Sequence, residues 1–513
     1  LAIALLLVAL PASASLAHAL RELLSPVSRP ALLAALAPSP KLLALSLAWA
    51  GAIALIACIL AWPAALAARA SGWLAGAHAW RIAALLAAPL LMPNYLAFHA
   101  LGILRDPTYA LGSAIVRAGE HWRDLPLLVG QGLALLGLAL WAWPLACLVL
   151  ASALARVEDS ALEHLRLDGA PWLSRQRAIL SMCRHAMLRA WGLVLLVMLG
   201  SAVPLHLAQT PTYAALTWQE VTLHPTSARA LFASWPTLAI AGLAASVCAR
   251  RWSDDQLPAE PSAPRSLAPW PLVLLACLST LLPVALEAST LRSLDALPAF
   301  WRVSAPALAQ SLLLAACVGA LAALIALLAM RRGRVTSWPL RLALALLFLG
   351  ALAPGLTVGH AWALAARSID PTILVFLAHA SRFGALAAIA GLWLARSEPL
   401  SLADLRSLDA GERGSRALRA WWVATASPRL GPLAAIALAC ACLGLHEIEA
   451  AIVLQSPGLR SLAQTILAQL HFARQEDLAA ATIMVVGPAL LASILAGALF
   501  ARRPIADRSL PNR

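Results

Sequence analysis

Among the ionisable side chains inside long apolar stretches of this 513-residue chain are His99, His360 and Arg382. Such groups are costly to bury in hydrocarbon, so each is a candidate for contact with a solute or an ion. His99 follows Pro93 and His360 follows Pro354 at the same offset. Two readings fit that spacing: both histidines line a translocation path, or each caps carbonyls released by the proline upstream. Arg382 has three readings: a structural ion pair, a substrate contact, or a shallow helix end.

Other chemistry is sparsely provided for. Lys41 is the only lysine and Leu42 follows it, so the chain holds no Gly-rich phosphate cradle with its lysine. ATP hydrolysis is therefore expected on a separate subunit, and no catalytic residue is expected here. The eight cysteines have neither CxxC nor Cys/His zinc spacing and read as small packing residues, so no metal and no cofactor is expected. Asp254-Asp255 suggests a metal or glycosyltransfer site only in isolation; it lies in a linker and reads as solvated.

The elements that hold these residues follow from composition. Hydrophobic residues make up 61% of the chain and charged ones 12%, with mean hydropathy +0.80, against roughly 25% charged in soluble domains. Runs with at most one charged residue, long enough to cross a bilayer, lie at 1–20, 42–66, 82–104, 126–152, 190–208, 230–249, 268–286, 306–330, 342–364, 371–395, 430–446 and 478–500, which predicts about twelve helices. No period-two alternation appears, so these are helices and not barrel strands. The first run also resembles a signal peptide, but it lacks a basic leading region and is expected to be a retained helix. Tryptophans near the ends of runs, among them Trp62, Trp141, Trp143 and Trp422, are expected to anchor at the interfaces.

Net charge is +14. The arginines gather in alternate loops: Arg156, Arg166, Arg175 and Arg177 in one, Arg250 and Arg251 in the next, then Arg331, Arg332 and Arg334, then Arg406, Arg413 and Arg416. That is the excess expected on a cytoplasmic face, so no nucleic acid is needed to explain the charge and both termini are expected in the cytoplasm.

Loops 153–189 and 396–429 are the two longest, and they match: Glu163-His-Leu-Arg-Leu-Asp-Gly169 against Asp404-Leu-Arg-Ser-Leu-Asp-Ala410. Gln209-Thr-Pro and Gln455-Ser-Pro match downstream. The chain is therefore expected to be all-α integral membrane, in two homologous six-helix halves at 1–250 and 268–513 joined by a cytoplasmic linker at 251–267. Two such bundles about a pseudo-two-fold axis form a central cleft, which is transporter architecture.

Glu163 and Gly169, with Ile179 ten residues further on, resemble the EAA loop in permease subunits of binding-protein-dependent ATP-binding-cassette (ABC) importers. His164 and Leu165 stand where that family has alanines. Further stretches resemble the fused two-half permeases of iron(III) and thiamine importers: Leu91-Met-Pro-Asn-Tyr95, Ser381-Arg382-Phe383, His446-Glu-Ile-Glu449 and Ser456-Pro-Gly458. The resemblance implies the type I importer permease fold in a bacterial cytoplasmic (inner) membrane. It implies that Glu163, Asp168, Gly169 and Ile179 in one loop, and Asp404, Asp409 and Ala410 in the other, couple to a cytoplasmic ABC ATPase dimer. It also implies a periplasmic or extracellular solute-binding protein as partner, beside membrane lipid. Rival readings are a secondary active transporter of about twelve helices, which should carry acidic or His residues in its spans, a polytopic membrane enzyme, and a permease that has lost transport.

Overall fold

The computed structural model describes residues 1–37, 39–70, 79–157, 160, 163–164, 167–169, 171–252, 270–331, 338–366, 368–396, 419, 421–454, 461–472 and 474–501. Among them every regular element is a helix. In chain order these are α1 (Ala2–Leu24), α2 (Arg29–Ala35), α3 (Pro40–Ala70), α4 (Ala79–Leu90), α5 (Asn94–Gly102), α6 (Ala110–Gly119) and α7 (Leu125–Leu154). Then come α8 (Trp172–Met182), α9 (Arg184–Leu199), α10 (Val203–Leu207), α11 (Tyr213–Leu223), α12 (Arg229–Ala233), α13 (Trp235–Arg251) and α14 (Trp270–Ala288). The remainder are α15 (Ala296–Met330), α16 (Trp338–Leu352), α17 (Gly355–Ala365), α18 (Pro371–Arg396), α19 (Leu430–His446), α20 (Glu449–Val453), α21 (Leu462–His471) and α22 (Gln475–Ala501).

Eight helices are long and apolar enough to cross a membrane, and three bent pairs raise the number of spans to as many as 11. The protein is a multi-pass membrane protein. Two of the bends fall at prolines inside predicted spans: α4 and α5 meet at 72° around Pro93, and α16 and α17 at 106° around Pro354. Proline lacks the amide hydrogen and strains the preceding turn, yet α3, α7 and α15 continue through Pro63, Pro144 and Pro306, so proline alone does not make a break.

Packing relies on small residues, as expected where lipid supplies no hydrophobic drive between helices. Ala50, Ala54, Ala57, Ala61, Ala64 and Ala68 run along the buried side of α3 at helical spacing, within one core with Leu138, Ala142, Ala146 and Leu150 of α7. Elsewhere glycine is obligatory. A Cβ on Gly391 of α18 would lie 2.2 Å from the Ala326 carbonyl oxygen of α15.

α3, α7 and α9 form one core, and α15, α16, α18 and α19 another. The first helix of each group is exchanged: α1 packs on α16, α17 and α18, while α14 packs on α3, α4 and α5. The last helices cross as well, α13 onto α16 and α22 onto α4.

Local details recur in the same order. Ser46 of α3 accepts a hydrogen bond from the Tyr213 amide at the start of α11 (2.7 Å), and Ser311 of α15 accepts one from the Leu462 amide at the start of α21 (2.8 Å). Asp106-Pro-Thr108 follows α5 and Asp370-Pro-Thr372 follows α17. In each, the carboxylate accepts the amide hydrogen of the threonine two residues on, at 2.9 and 2.7 Å. The Thr108 amide and hydroxyl hold the Asp106 carboxyl below the usual carboxylate range, and the Thr372 hydroxyl and amide do the same for Asp370.

Two expectations about individual residues need correction. Trp143 is fully buried and its indole donates to Ser279 Oγ (3.2 Å), and the Trp141 indole donates to the Met92 carbonyl (2.8 Å). Both are interior, because α7 runs beneath the broken α4/α5 pair and supplies donors there. Cysteines 58, 147, 183 and 440 are buried as packing residues, whereas Cys248 and Cys317 are exposed.

Candidate functional site at the broken helices

Helix breaks meet in the middle of the bundle. Besides those at Pro93 and Pro354, the chain leaves α9 at Gly200 and re-enters α10 at Val203, and it leaves α19 at His446 and re-enters α20 at Glu449. Asn94 Nδ2 donates to Ser201 Oγ (3.2 Å), joining the first break to the α9/α10 break. A Cβ on Gly200 would lie 3.4 Å from Pro354 Cα, so that break also touches the one at Pro354.

The α19/α20 break brings two carboxylates to this point. Arg382 Nη1 of α18 donates to Glu447 Oε2, and the Ala450 amide donates to Glu447 Oε1 (3.2 Å). Glu449 Oε1 accepts from the Ala202 amide (2.8 Å), and a Cβ on Gly355 would lie 2.9 Å from Glu449 Cβ. The carboxylate therefore fastens the start of α20 to the start of α10, a helix end where backbone amides lack partners, next to the start of α17. Gly355 is required: a Cβ there would sit 2.6 Å from Glu447 Oε1 and 2.8 Å from Arg382 Nη1. The guanidinium also lies 5.9 Å from the centre of the Phe383 ring, within cation–π range.

Further buried polar atoms have no hydrogen-bond partner: the Tyr95 hydroxyl on α5, Arg382 Nε, and both ring nitrogens of His379, whose ring meets Phe383 edge-on. Chemically the arrangement is a closed ionic plug with spare donors. It can hold helices of both groups together, and it can exchange its internal partners for those of a charged solute.

Of the predicted path residues, Arg382 alone belongs to this plug. His99 Nδ1 lies 2.7 Å from Oε1 of Glu287, which is wholly buried on α14. His360 Nε2 lies 2.9 Å from the Ser227 carbonyl oxygen. Ser227 and the Ala228 amide in turn donate to Glu22 of α1 at 3.0 and 2.9 Å. Each histidine thus meets a segment reached through helix exchange. His99→Phe should lower thermal stability by about 2 kcal/mol, because Glu287 stays buried without its partner, and His360→Phe by about 1 kcal/mol, the value of one hydrogen bond. Melting of the two variants in detergent tests this, and the reverse order would sink the assignment.

In the loop that precedes α8, Glu163, His164 and Asp168 are exposed, and the Asp168 amide donates to the His164 carbonyl (2.9 Å). Gly169 has φ +67°, the left-handed conformation, with open space around it. Ile179 is buried in the α3/α7/α9 core, and Trp62 of α3 donates to Gln176 (3.3 Å), so α8 is fastened to the bundle along one side. Leu173 and Leu180, seven residues apart and a quarter-turn round the helix from Ile179, form an exposed apolar edge, and Trp172 and Met182 at its two ends are exposed as well. Asp404, Asp409 and Ala410 lie outside the described residues, as does Asp254-Asp255.

Sequence reasoning missed Glu287 and Glu22 as partners, and it found no acidic residue placed within the spans. Glu287 stands one residue beyond the predicted 268–286 run, and its only local signal is a carboxylate at the end of an apolar stretch. The repeated Asp-Pro-Thr was legible and marks equivalent places in the chain.

Fold and site together define a multi-pass helical membrane protein with a buried ionic cluster at broken helices. Searched against family models, curated proteins and solved structures, the chain finds no match.

Proposed function

We propose that the chain is the permease subunit of an ABC importer, forming the path for a small solute and driven by an ATPase on separate subunits. The observation that carries the reading is the loop before α9. An acid-led turn ends at a left-handed Gly169, and α8 then presents an exposed apolar edge while Ile179 roots it in the core. A short helix so mounted can pass a push from a cytosolic partner into α3, α7 and α9. Counting the 17-residue α13 with the eight long helices and three bent pairs gives twelve spans, six in each of the halves 1–250 and 268–513. The exchanged first helices, the paired Ser46 and Ser311 contacts and the paired Asp-Pro-Thr turns support that division. On this reading both termini are cytoplasmic in a bacterial inner membrane. The ATPase dimer docks at loops 153–189 and 396–429, and a solute-binding protein docks on the opposite face.

Gly169→Val should insert normally yet lose at least about tenfold of transport-linked ATP hydrolysis. A β-branched residue resists the left-handed conformation, at a cost of roughly 1–2 kcal/mol in the loop. Gly169→Asn, which tolerates it, should keep most of the activity. The assay is ATP turnover in proteoliposomes with the ATPase that copurifies from native membranes; normal coupling in Gly169→Val would remove this loop from the mechanism.

One observation favours a second reading, an ion-coupled secondary transporter: Glu287 is a wholly buried carboxylate, and Glu447 and Glu449 are partly buried ones, among the helices. Uptake that stops with a protonophore while ATP is held constant would select it. Uptake that stops on ATP depletion at constant membrane potential selects the importer.

A further inference from the structure

We propose that the cleft between α1, α13 and the α16/α17 bend is a binding site for one acyl chain of a membrane phospholipid. The cleft is a cavity of about 410 Å3 with no ionisable side chain in its wall. Its few polar groups are mostly engaged: Ser15 Oγ donates to the Ala361 carbonyl (3.1 Å), and Ser381 Oγ to the Leu7 carbonyl (2.8 Å). Only the buried Thr357 hydroxyl is without a partner. A hydrated or charged solute could not replace its water there, whereas an apolar guest loses nothing on entry.

The shape selects a chain. α1 supplies wall residues from Leu7 to Ala19, a length of roughly 18 Å at 1.5 Å per residue. That is close to one leaflet of a hydrocarbon core about 30 Å thick. The cavity's rim is continuous with bilayer-facing surface, where Leu16 is 63% and Trp235 43% exposed.

The corresponding crevice at the α4/α5 bend is closed with bulk. Met92, Ala97 and Val486 pack there with Trp141, Val284 and Leu490. At the α16/α17 bend the wall instead places small residues, Ala12, Ser15, Ala19, Gly350, Ala353 and Ala361, between larger ones such as Leu16, Phe232 and Trp235, and the space between them stays open. Unfilled volume in a core is destabilising, so the small residues make sense with a guest supplied by the membrane. This inference needs only the fold and is independent of the importer reading.

The test uses the full chain in phosphatidylcholine vesicles containing a phosphatidylcholine with a diazirine at the end of one acyl chain. The vesicles are chased with unlabelled phosphatidylcholine, irradiated, and the adducts mapped. Adducts on Leu7–Ala19 and Leu231–Leu238 should survive a chase that clears those at Leu55 and Ile59, which are exposed on α3. Ala12→Phe, which fills the slot from the surface helix, should lower the retained adducts about tenfold, equivalent to about 1.4 kcal/mol of affinity. Slot adducts that clear as fast as those on α3, or that persist unchanged in Ala12→Phe, would overturn the proposal. Recovery of a prenyl quinone from this site in place of phospholipid would overturn the choice of occupant. The wild-type chase decides even if the variant fails to fold.

Discussion

Arg382→Ala should lower the stability of the solubilised protein by about 3–5 kcal/mol and abolish transport, because it leaves Glu447 buried without its counter-ion. The carboxylate keeps only the Ala450 amide, while Glu449 stands beside it as a second acidic group that offers no compensation. Glu449 holds the Ala202 amide at the start of α10, so the disturbance reaches helices of both groups. Arg382→Met combined with Glu447→Met should recover most of the stability, since a buried pair replaced by apolar residues of similar volume is often neutral or better. It should not recover transport if the plug must open by exchanging its ionic partners. Heating in detergent followed by size-exclusion chromatography measures the first quantity, and solute uptake the second. An Arg382→Ala protein as stable as wild type would show that the plug carries no structural weight.

Gly391→Ala should be nearly as damaging, at about 3 kcal/mol, although it adds one methyl group. The new Cβ would fall 2.2 Å from the Ala326 carbonyl oxygen and 2.8 Å from Ala326 Cα, and backbone cannot turn aside as a side chain can. α15 and α18 would have to separate along the seam that holds their core together. Gly242→Ala is the control: nothing lies within 4 Å of a Cβ there, and relief of glycine's poor helix propensity should make it neutral or stabilising by up to about 1 kcal/mol. Equal melting temperatures for the two variants would contradict the close approach of α15 and α18.

Much of the architecture is legible in the chain because it depends on local sums. A run such as 126–152 predicts a helix that the structure has at Leu125–Leu154, since some twenty uncharged residues suffice to pass hydrocarbon whatever lies beside them. The breaks at Pro93 and Pro354 are only partly local: each proline lacks the amide hydrogen, but α3 and α7 run on through Pro63 and Pro144, so packing decides which proline becomes a bend. The site was legible only in part. Arg382 stood out because a guanidinium in an apolar run requires an explanation. The partner that explains it, Glu447, lies 65 residues away. His99 was singled out for its offset from Pro93, but its contact is Glu287, 188 residues distant on an exchanged helix, and not the carbonyls freed by that proline.

By itself, then, the sequence determined that this is a membrane-spanning helical protein, where its spans lie, and which charges would have to be compensated inside it. Hydropathy, proline chemistry and desolvation cost act over a few turns of chain and can be read there. Only the tertiary structure decided how those charges are compensated: that α1 and α14 cross over, that four helix breaks meet, and that Glu449 bridges two of them. A buried charge demands a partner but does not specify one, and the choice falls to whichever distant helix end packing brings within hydrogen-bond reach.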